Sequence, residues 1–336
     1  MSDIGVALVG AGPWGLVLSR ALERAAGAPL RWVCELDADR RAGARGIHPA
    51  ARLTASVDEL LADPEVSAVA VAVDSAAHHS VGRRVLLAGR HLLLEKPMAL
   101  SVDHATDLET LAREQARILT VGHLLLHHPA VARAREIVAA GELGDDLGFN
   151  AVRAVPGPPR SPGGCWWTLA PHDVSLALYL FDALPVAVRA RAVTSAGADQ
   201  DIVASATMSF ADGRTARVEV SRFAAAKRRR FAIAGSRRSL EFDELEAAQP
   251  LWLRTSPRTG PTATPVRIGF EPADPLLAQC RHFLASAACG DASGGNAAHA
   301  LDVVRVLEAG SQSMRLGGAA VKVVRDPSAE PVRKVA

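Results

Sequence analysis

A glycine-spaced turn between two hydrophobic patterns constrains this chain most. Ile4-Gly5-Val6-Ala7-Leu8-Val9 reads as a short buried strand, and a helical pattern with Leu16, Leu18 and Leu22 follows. Between them stands Gly10-Ala11-Gly12-Pro13-Trp14-Gly15, a G-x-G-x-x-G spacing in the strand–turn–helix setting it requires. Gly10 permits the tight turn, Gly12 lets the backbone approach a pyrophosphate, and Gly15 lets the helix pack on its strand. The helix start offers unpaired amides and the positive end of its dipole to phosphates. A second apolar strand, Leu30 to Cys34, ends in Glu35, twenty residues after Gly15. A carboxylate there accepts hydrogen bonds from the adenosine ribose and repels a 2′-phosphate, so NAD is expected over NADP. Arg40 and Arg41 stand close behind and keep NADP open.

The pattern then repeats. A strand over 66–73 leads to a helix around 81–88, a strand over 91–94, a helix over 101–115 and a strand over 118–121. Alternating strands and helices predict a parallel sheet with right-handed crossovers. The run His91-Leu92-Leu93-Leu94 stops abruptly at Glu95-Lys96-Pro97. Open α/β sheets bind ligands at the carboxyl ends of such strands. A charged pair there suits a site better than a core.

Beyond about Gly144 the texture changes. Val186–Val193, Ile202–Phe210 and Ala216–Ser221 alternate apolar and polar residues, with Ala211-Asp212-Gly213 as a hairpin turn. Period-two alternation means half-buried antiparallel strands. The expected fold is therefore an α/β Rossmann dinucleotide-binding domain over 1–122. An α+β domain with a large, mostly antiparallel open sheet follows over 123–325, with a tail over 326–336. Two late helices, over 275–288 and 296–316, are expected to pack back on the first domain. A helix bearing His172 is expected to start near Pro171, after a loop from Arg153 to Gly164.

Composition narrows the function classes. Net charge is only +2, with 38 basic and 36 acidic side chains, which gives no global field for nucleic acid. No apolar run reaches the roughly 20 residues of a membrane span, and no signal-peptide layout is seen. The four cysteines form no Cys-x-x-Cys pair, so a reducing, cytoplasmic setting is expected. His78, His79, His123, His127 and His128 are not joined by a carboxylate or cysteine cluster, and no metal is expected.

These stretches together resemble the Gfo/Idh/MocA family of NAD(P)-dependent oxidoreductases. The resemblance is carried by Gly10 to Gly15, Ala88-Gly89-Arg90-His91 leading into Glu95-Lys96-Pro97, and Val121-Gly122-His123. Gly141-Glu142-Leu143-Gly144 and Trp167-Thr168-Leu169-Ala170-Pro171-His172-Asp173 complete it. The likeness is greatest to members acting at a sugar ring carbon, such as sugar 3-dehydrogenases and 3-ketoreductases. Two departures stand out. Val73-Asp74 replaces a common Thr-Pro, and Thr168 and Ser175 occupy positions that are commonly acidic around His172.

The resemblance implies hydride transfer between NAD and a secondary alcohol or ketone of a sugar, nucleotide sugar or cyclitol. Lys96 and His172 are the implied catalytic pair. Histidine has a pKa suited to a proton-transfer group near neutrality, and an ammonium stabilises developing alkoxide charge. Gly10, Gly12, Pro13, Trp14, Gly15, Glu35, Asp74, His78, Glu95, Lys96 and Pro97 are placed beside the cofactor. His123, Arg153, Arg160, Trp167, Thr168 and Asp173 are placed beside the substrate. The open sheet face is expected to pair subunits into a homodimer or homotetramer. The alternatives are a silent dinucleotide-binding sensor or scaffold, and a reductase of a non-sugar ketone or imine.

Overall fold

The computed structural model describes residues 4–158, 163–194, 200–246, 251–255, 264–290 and 294–325. The chain divides into two compact units. One holds the chain as far as Leu124 together with Asp274–Val304, and the other holds Leu125–Ala273 and resumes at Arg305.

The first unit alternates strand and helix. In chain order it runs β1 (Gly5–Val9), α1 (Pro13–Ala26), β2 (Trp32–Cys34), α2 (Ala38–Ile47), β3 (Arg52–Thr54), α3 (Val57–Ala62) and β4 (Val66–Val71). It continues with α4 (His78–Leu87), β5 (His91–Leu94), α5 (Val102–Glu114) and β6 (Leu119–Val121). The six strands order as β3-β2-β1-β4-β5-β6, and every pairing is parallel. This is the doubly wound order, whose direction reverses beside β1. The central strands are buried on both faces, which explains their unbroken apolar runs. Local capping sets the helix starts: Asp37, Ser56 and Ser101 each accept a backbone N–H three residues on, from Arg40, Glu59 and His104, and so satisfy an otherwise orphaned amide.

The second unit is built on one broad sheet. Its elements are α6 (Pro129–Ala139), β7 (Gly148–Ala154), α7 (Gly164–Phe181), β8 (Ala187–Thr194), β9 (Asp201–Ser209) and β10 (Thr215–Ser221). β11 (Arg228–Ala234), β12 (Arg238–Asp243), β13 (Leu251–Thr255) and β14 (Val266–Arg267) follow. The chain then forms α8 (Pro275–Cys289), which belongs to the first unit, α9 (Ala297–Arg315), which is divided between the two units at Arg305, and β15 (Val321–Lys322) of the second. The nine strands order as β14-β13-β12-β11-β7-β10-β9-β8-β15. β7 pairs parallel with β10, and the other pairings are antiparallel. Ala204, Ala206, Val218, Val220, Phe231 and Ile233 are buried on one face, where α7 packs. The alternate positions, including Arg191, Val193 and Arg217, face outward and are exposed, as period-two patterning requires.

α8 belongs to the first unit and packs on α1. Leu18 and Leu22 meet Cys280, Phe283 and Leu284 there in one buried cluster with Leu8, Val33 and Leu93. Asn296 binds the end of the edge strand β6: its Oδ1 accepts from Val121 N at 2.6 Å and its Nδ2 donates to Val121 O at 2.9 Å. A side-chain amide thus takes the place of a further strand and blunts the open edge. Among the described residues, no helix is long and apolar enough to cross a membrane.

One expectation is corrected. α7 begins at Gly164, not near Pro171, which lies inside it. Gly163 at the N-cap offers no side chain, so the start carries no local signal. The cap comes instead from Asp201, whose Oδ2 accepts from Trp166 N at 2.7 Å and from Cys165 Sγ at 3.1 Å. Trp166 Nε1 donates to Leu307 O at 2.9 Å and Trp167 Nε1 to Ser311 Oγ at 3.0 Å, which ties this first turn to α9. These contacts hold a helix that Pro171 alone would break.

Candidate active site

The glycine turn is shaped for an anionic visitor. Gly10 has φ +95°, and a Cβ there would stand 2.5 Å from Ala72 O. A Cβ on Gly15 would stand 1.9 Å from Gly10 O. Both glycines are therefore demanded by the protein itself. Gly12 differs, because a Cβ there would meet nothing within 4 Å. Its small size leaves room for something outside the chain. α1 starts with Pro13 in its first turn, with no side-chain cap and no acidic residue there, so its amides and dipole stay available to a phosphate.

Glu35 stands beside this turn, 8% exposed. Its Oε2 accepts from Ala11 N at 2.7 Å and its Oε1 from Asp37 N at 3.0 Å. Each oxygen keeps a further lone pair for a ribose hydroxyl. Arg41 Nη1 donates to the carbonyls of Glu35 and Leu36 at 2.7 and 3.1 Å, which turns that guanidinium toward the backbone. These residues fit a dinucleotide.

At the end of β5, Glu95 is buried. Its Oε1 accepts from Trp14 Nε1 at 2.5 Å, and its Oε2 from Lys96 N at 3.2 Å. A Cβ on Gly122 would lie 3.0 Å from Glu95 Oε1, so the glycine after β6 makes room for this carboxylate. Burial pushes the Glu95 carboxyl up, and the Trp14 N–H and the Lys96 charge pull against that. Lys96 itself is half-buried, and its peptide to Pro97 is cis.

His78 is buried, with Nδ1 2.7 Å from Pro97 O and Nε2 3.2 Å from Val73 O. It props the segment after β5 against the end of β4. Burial holds its pKa down. Asp74 is exposed and accepts from Ala76 N at 3.0 Å, which closes the short turn before α4.

His123 is buried at the carboxyl end of β6, and neither ring nitrogen has a hydrogen-bond partner among the described residues. Its ring meets that of His299 edge-on, with centroids 5.8 Å apart. Burial, His299 and Lys96 hold its pKa well below the usual histidine range. A neutral imidazole there offers one donor and one acceptor to a ligand.

In the second unit, His172 is half-buried in the middle of α7. Thr168 Oγ1 donates to Gly164 O at 2.8 Å, so its hydroxyl bonds back along its own helix. Trp167 is half-buried and Ser175 is buried. Arg153 and Asp173 are turned to each other: Arg153 Nε donates to Asp173 Oδ2 at 2.8 Å and Nη2 to Oδ1 at 3.0 Å. Arg160 lies outside the described residues. Sequence reading missed Asn296, His299, Asp201, Arg229 and Glu244, all of which join these clusters from distant positions.

A parallel sheet in the doubly wound order with a phosphate-binding turn defines a dinucleotide-binding α/β protein. Residues 4–123 match the NAD-binding Rossmann-fold domain of the oxidoreductase family, and residues 131–241 match the GFO/IDH/MocA C-terminal domain. UDP-N-acetylglucosamine 3-dehydrogenase of Acidithiobacillus ferrooxidans is 34% identical over 233 residues, covering 68% of this chain and 72% of that one. Its solved structure superposes with a TM-score of 0.82 at 27% identity, over 94% of this chain and 99% of that one. The structure of GenD2 from gentamicin A biosynthesis, in complex with NAD, superposes with a TM-score of 0.83 at 27% identity, over 97% of each chain. The chain belongs to the Gfo/Idh/MocA family of oxidoreductases.

Proposed function

We propose that this protein transfers a hydride between NAD and a secondary alcohol or ketone of a sugar, nucleotide sugar or cyclitol. The observation that carries the reading is the Trp14–Glu95 hydrogen bond. It joins the glycine turn to the carboxylate that precedes Lys96, which supports reading the turn and Lys96 as parts of one site. The likeness to UDP-N-acetylglucosamine 3-dehydrogenase supports a sugar nucleotide as the first substrate to test.

Gly10, Gly12, Pro13, Trp14 and Gly15 would hold the pyrophosphate, and Glu35 the adenosine ribose. NAD, when bound, supplies hydride acceptance. Lys96 stabilises negative charge on the substrate oxygen as the C–H bond breaks. His172 takes the hydroxyl proton in oxidation and returns it in reduction. His123, kept neutral, orients substrate hydroxyls. The outward sheet face, with Val193 exposed and Phe223 exposed beside it, is read as the surface of a homodimer or homotetramer, to be weighed by light scattering. The setting is read as cytoplasmic.

The test is oxidation of UDP-N-acetylglucosamine and scyllo-inositol with NAD, and reduction of 1,5-anhydro-D-fructose with stereospecifically deuterated NADH. Turnover with at least one, and deuterium delivered to one ring carbon, is expected. Tight NADH binding with no deuterium transfer to any sugar or cyclitol tried would overturn the reading.

A further inference from the structure

α7 loses a backbone hydrogen bond immediately before His172. Pro171 has no N–H, so the carbonyl of Trp167 cannot receive the usual bond from four residues on. The Thr168 hydroxyl bonds back to Gly164 O at 2.8 Å, a pattern that bends helices. The helix runs on through this point, one intrahelical hydrogen bond short in the turn that delivers His172.

An ionic chain, buried at one end and partly exposed at the other, takes hold one residue further on. Asp173, 1% exposed, receives a two-pronged fork from Arg153 on β7, at 2.8 and 3.0 Å. Arg153 Nη1 also donates to Glu244 Oε2 at 2.9 Å, and Glu244 Oε1 accepts from Arg229 Nη1 on β11 at 2.6 Å. Two cations and two anions thus balance inside the unit. Burial pushes the Asp173 carboxyl up and Arg153 pulls it down. Burial also opposes the Glu244 charge, but Arg153 and Arg229 outweigh it and hold that carboxyl low.

The geometry of the fork matters more than its charge. β7 is hydrogen-bonded on one side to β10 and on the other to β11, so Arg153 stands on a strand fixed along both edges. A planar guanidinium gripping both carboxylate oxygens admits one orientation. Neighbouring helical positions diverge by about 100° around the axis. Asp173 can therefore lock the rotation of α7 without lying on the His172 face.

We infer that the Arg153–Asp173 fork, backed by Glu244 and Arg229, sets the orientation of the His172 ring. Asp173 and Arg153 are then positioning residues rather than substrate ligands. The inference rests on the reading of His172 as the proton-transfer group.

The test follows the ring itself. Histidine-selective isotope labelling resolves the imidazole signals by NMR, and His172 is assigned by its loss in His172→Gln. In Asp173→Asn the His172 signal is expected to shift and broaden, and its proton affinity to change by at least about threefold. The His79 and His104 signals and NADH affinity should stay as in the parent. A His172 signal and titration identical to the parent would overturn the inference. Should Asp173→Asn fail to fold, the double variant Arg153→Met with Asp173→Leu is measured instead, since buried ion pairs often tolerate apolar replacement of similar volume. The same displacement is expected, and an unmoved His172 signal again overturns the inference. Turnover of UDP-N-acetylglucosamine and scyllo-inositol by His172→Gln separates the two readings. Its loss, with an unmoved ring in the fork variants, removes the fork alone. Normal turnover removes the role of His172 and the purpose of the fork with it.

Discussion

Trp14 donates its indole N–H to the buried carboxylate of Glu95 at 2.5 Å, across 81 residues of sequence. The donor sits in the phosphate-binding turn and the acceptor at the end of β5. A buried carboxylate stays ionised only where donors reach it. A hydrogen bond to a charged group contributes about 1.5–3 kcal/mol.

Trp14→Phe should therefore weaken NADH binding by roughly tenfold or more, read by fluorescence titration. It should also change the pH dependence of stability. Burial already raises the Glu95 pKa above its ordinary 4.5. A group raised on folding contributes stability below its unfolded pKa and loses it as pH rises through the folded value. Removing the Trp14 donor raises the folded value further, so more stability is lost between acid pH and neutrality. The Tm gap between Trp14→Phe and the parent should widen as pH rises from about 4.5 to 7. Combining Trp14→Phe with Glu95→Gln should remove that pH dependence. A gap that stays constant with pH would show that the indole does not act through the Glu95 charge.

The two glycines on either side of Trp14 should separate folding from binding. At Gly12 an added Cβ meets nothing within 4 Å, so Gly12→Ala should keep its Tm within a few degrees. It should still lose NADH affinity, by about tenfold or more, because the methyl occupies the approach of the pyrophosphate. At Gly15 the added Cβ falls 1.9 Å from Gly10 O, and backbone cannot yield as a flexible side chain can. Gly15→Ala should lose stability by about 3 kcal/mol or more, on the scale of overpacking and strain. Calorimetry and NADH titration on both variants check the contrast.

What the chain makes legible is its local chemistry. β1, β4 and β5 read as strands because strands buried on both faces are apolar throughout. The glycine turn and Glu35 read as a nucleotide site because their spacing after two successive apolar strands is written locally in the chain. β3 escaped notice: Arg52-Leu53-Thr54 is three residues long, at a sheet edge, and mostly polar. The start of α7 was misplaced because Pro171 mimics a helix start, while the true cap, Asp201, lies far along the chain on β9. Arg153 and Asp173 carry the right types for substrate binding. Only the fold reveals that they grip each other.

Glu35 should govern the choice of dinucleotide. Its two oxygens already hold the amides of Ala11 and Asp37, so the carboxylate is fixed before any ribose arrives. Glu35→Gln keeps the size and one acceptor oxygen but removes the charge that repels a 2′-phosphate. The ratio of NADH to NADPH affinity should fall by about tenfold, a change of about 1.4 kcal/mol. An unchanged ratio would assign the discrimination elsewhere. Arg41 is the residue to examine next, since releasing its donation to the Glu35 and Leu36 carbonyls would free a cation for the phosphate.

Lys96 should divide chemistry from binding. The glycine turn, Glu35 and the Trp14–Glu95 link are read as the dinucleotide-holding parts, and the backbone N–H of Lys96 donates to Glu95 at 3.2 Å whatever the side chain. Lys96→Met keeps the unbranched stem of the side chain and that N–H while removing the ammonium. NADH affinity should therefore stay within a few fold. Turnover should fall by about 100- to 1,000-fold, the usual loss when one donor to a developing oxyanion is removed. Lys96→Arg restores a cation of different shape and should recover only part of the rate. Steady-state rates beside NADH titration separate these outcomes. Full turnover in Lys96→Met would remove Lys96 from the chemistry, and a parallel collapse of NADH binding would make it a cofactor anchor instead.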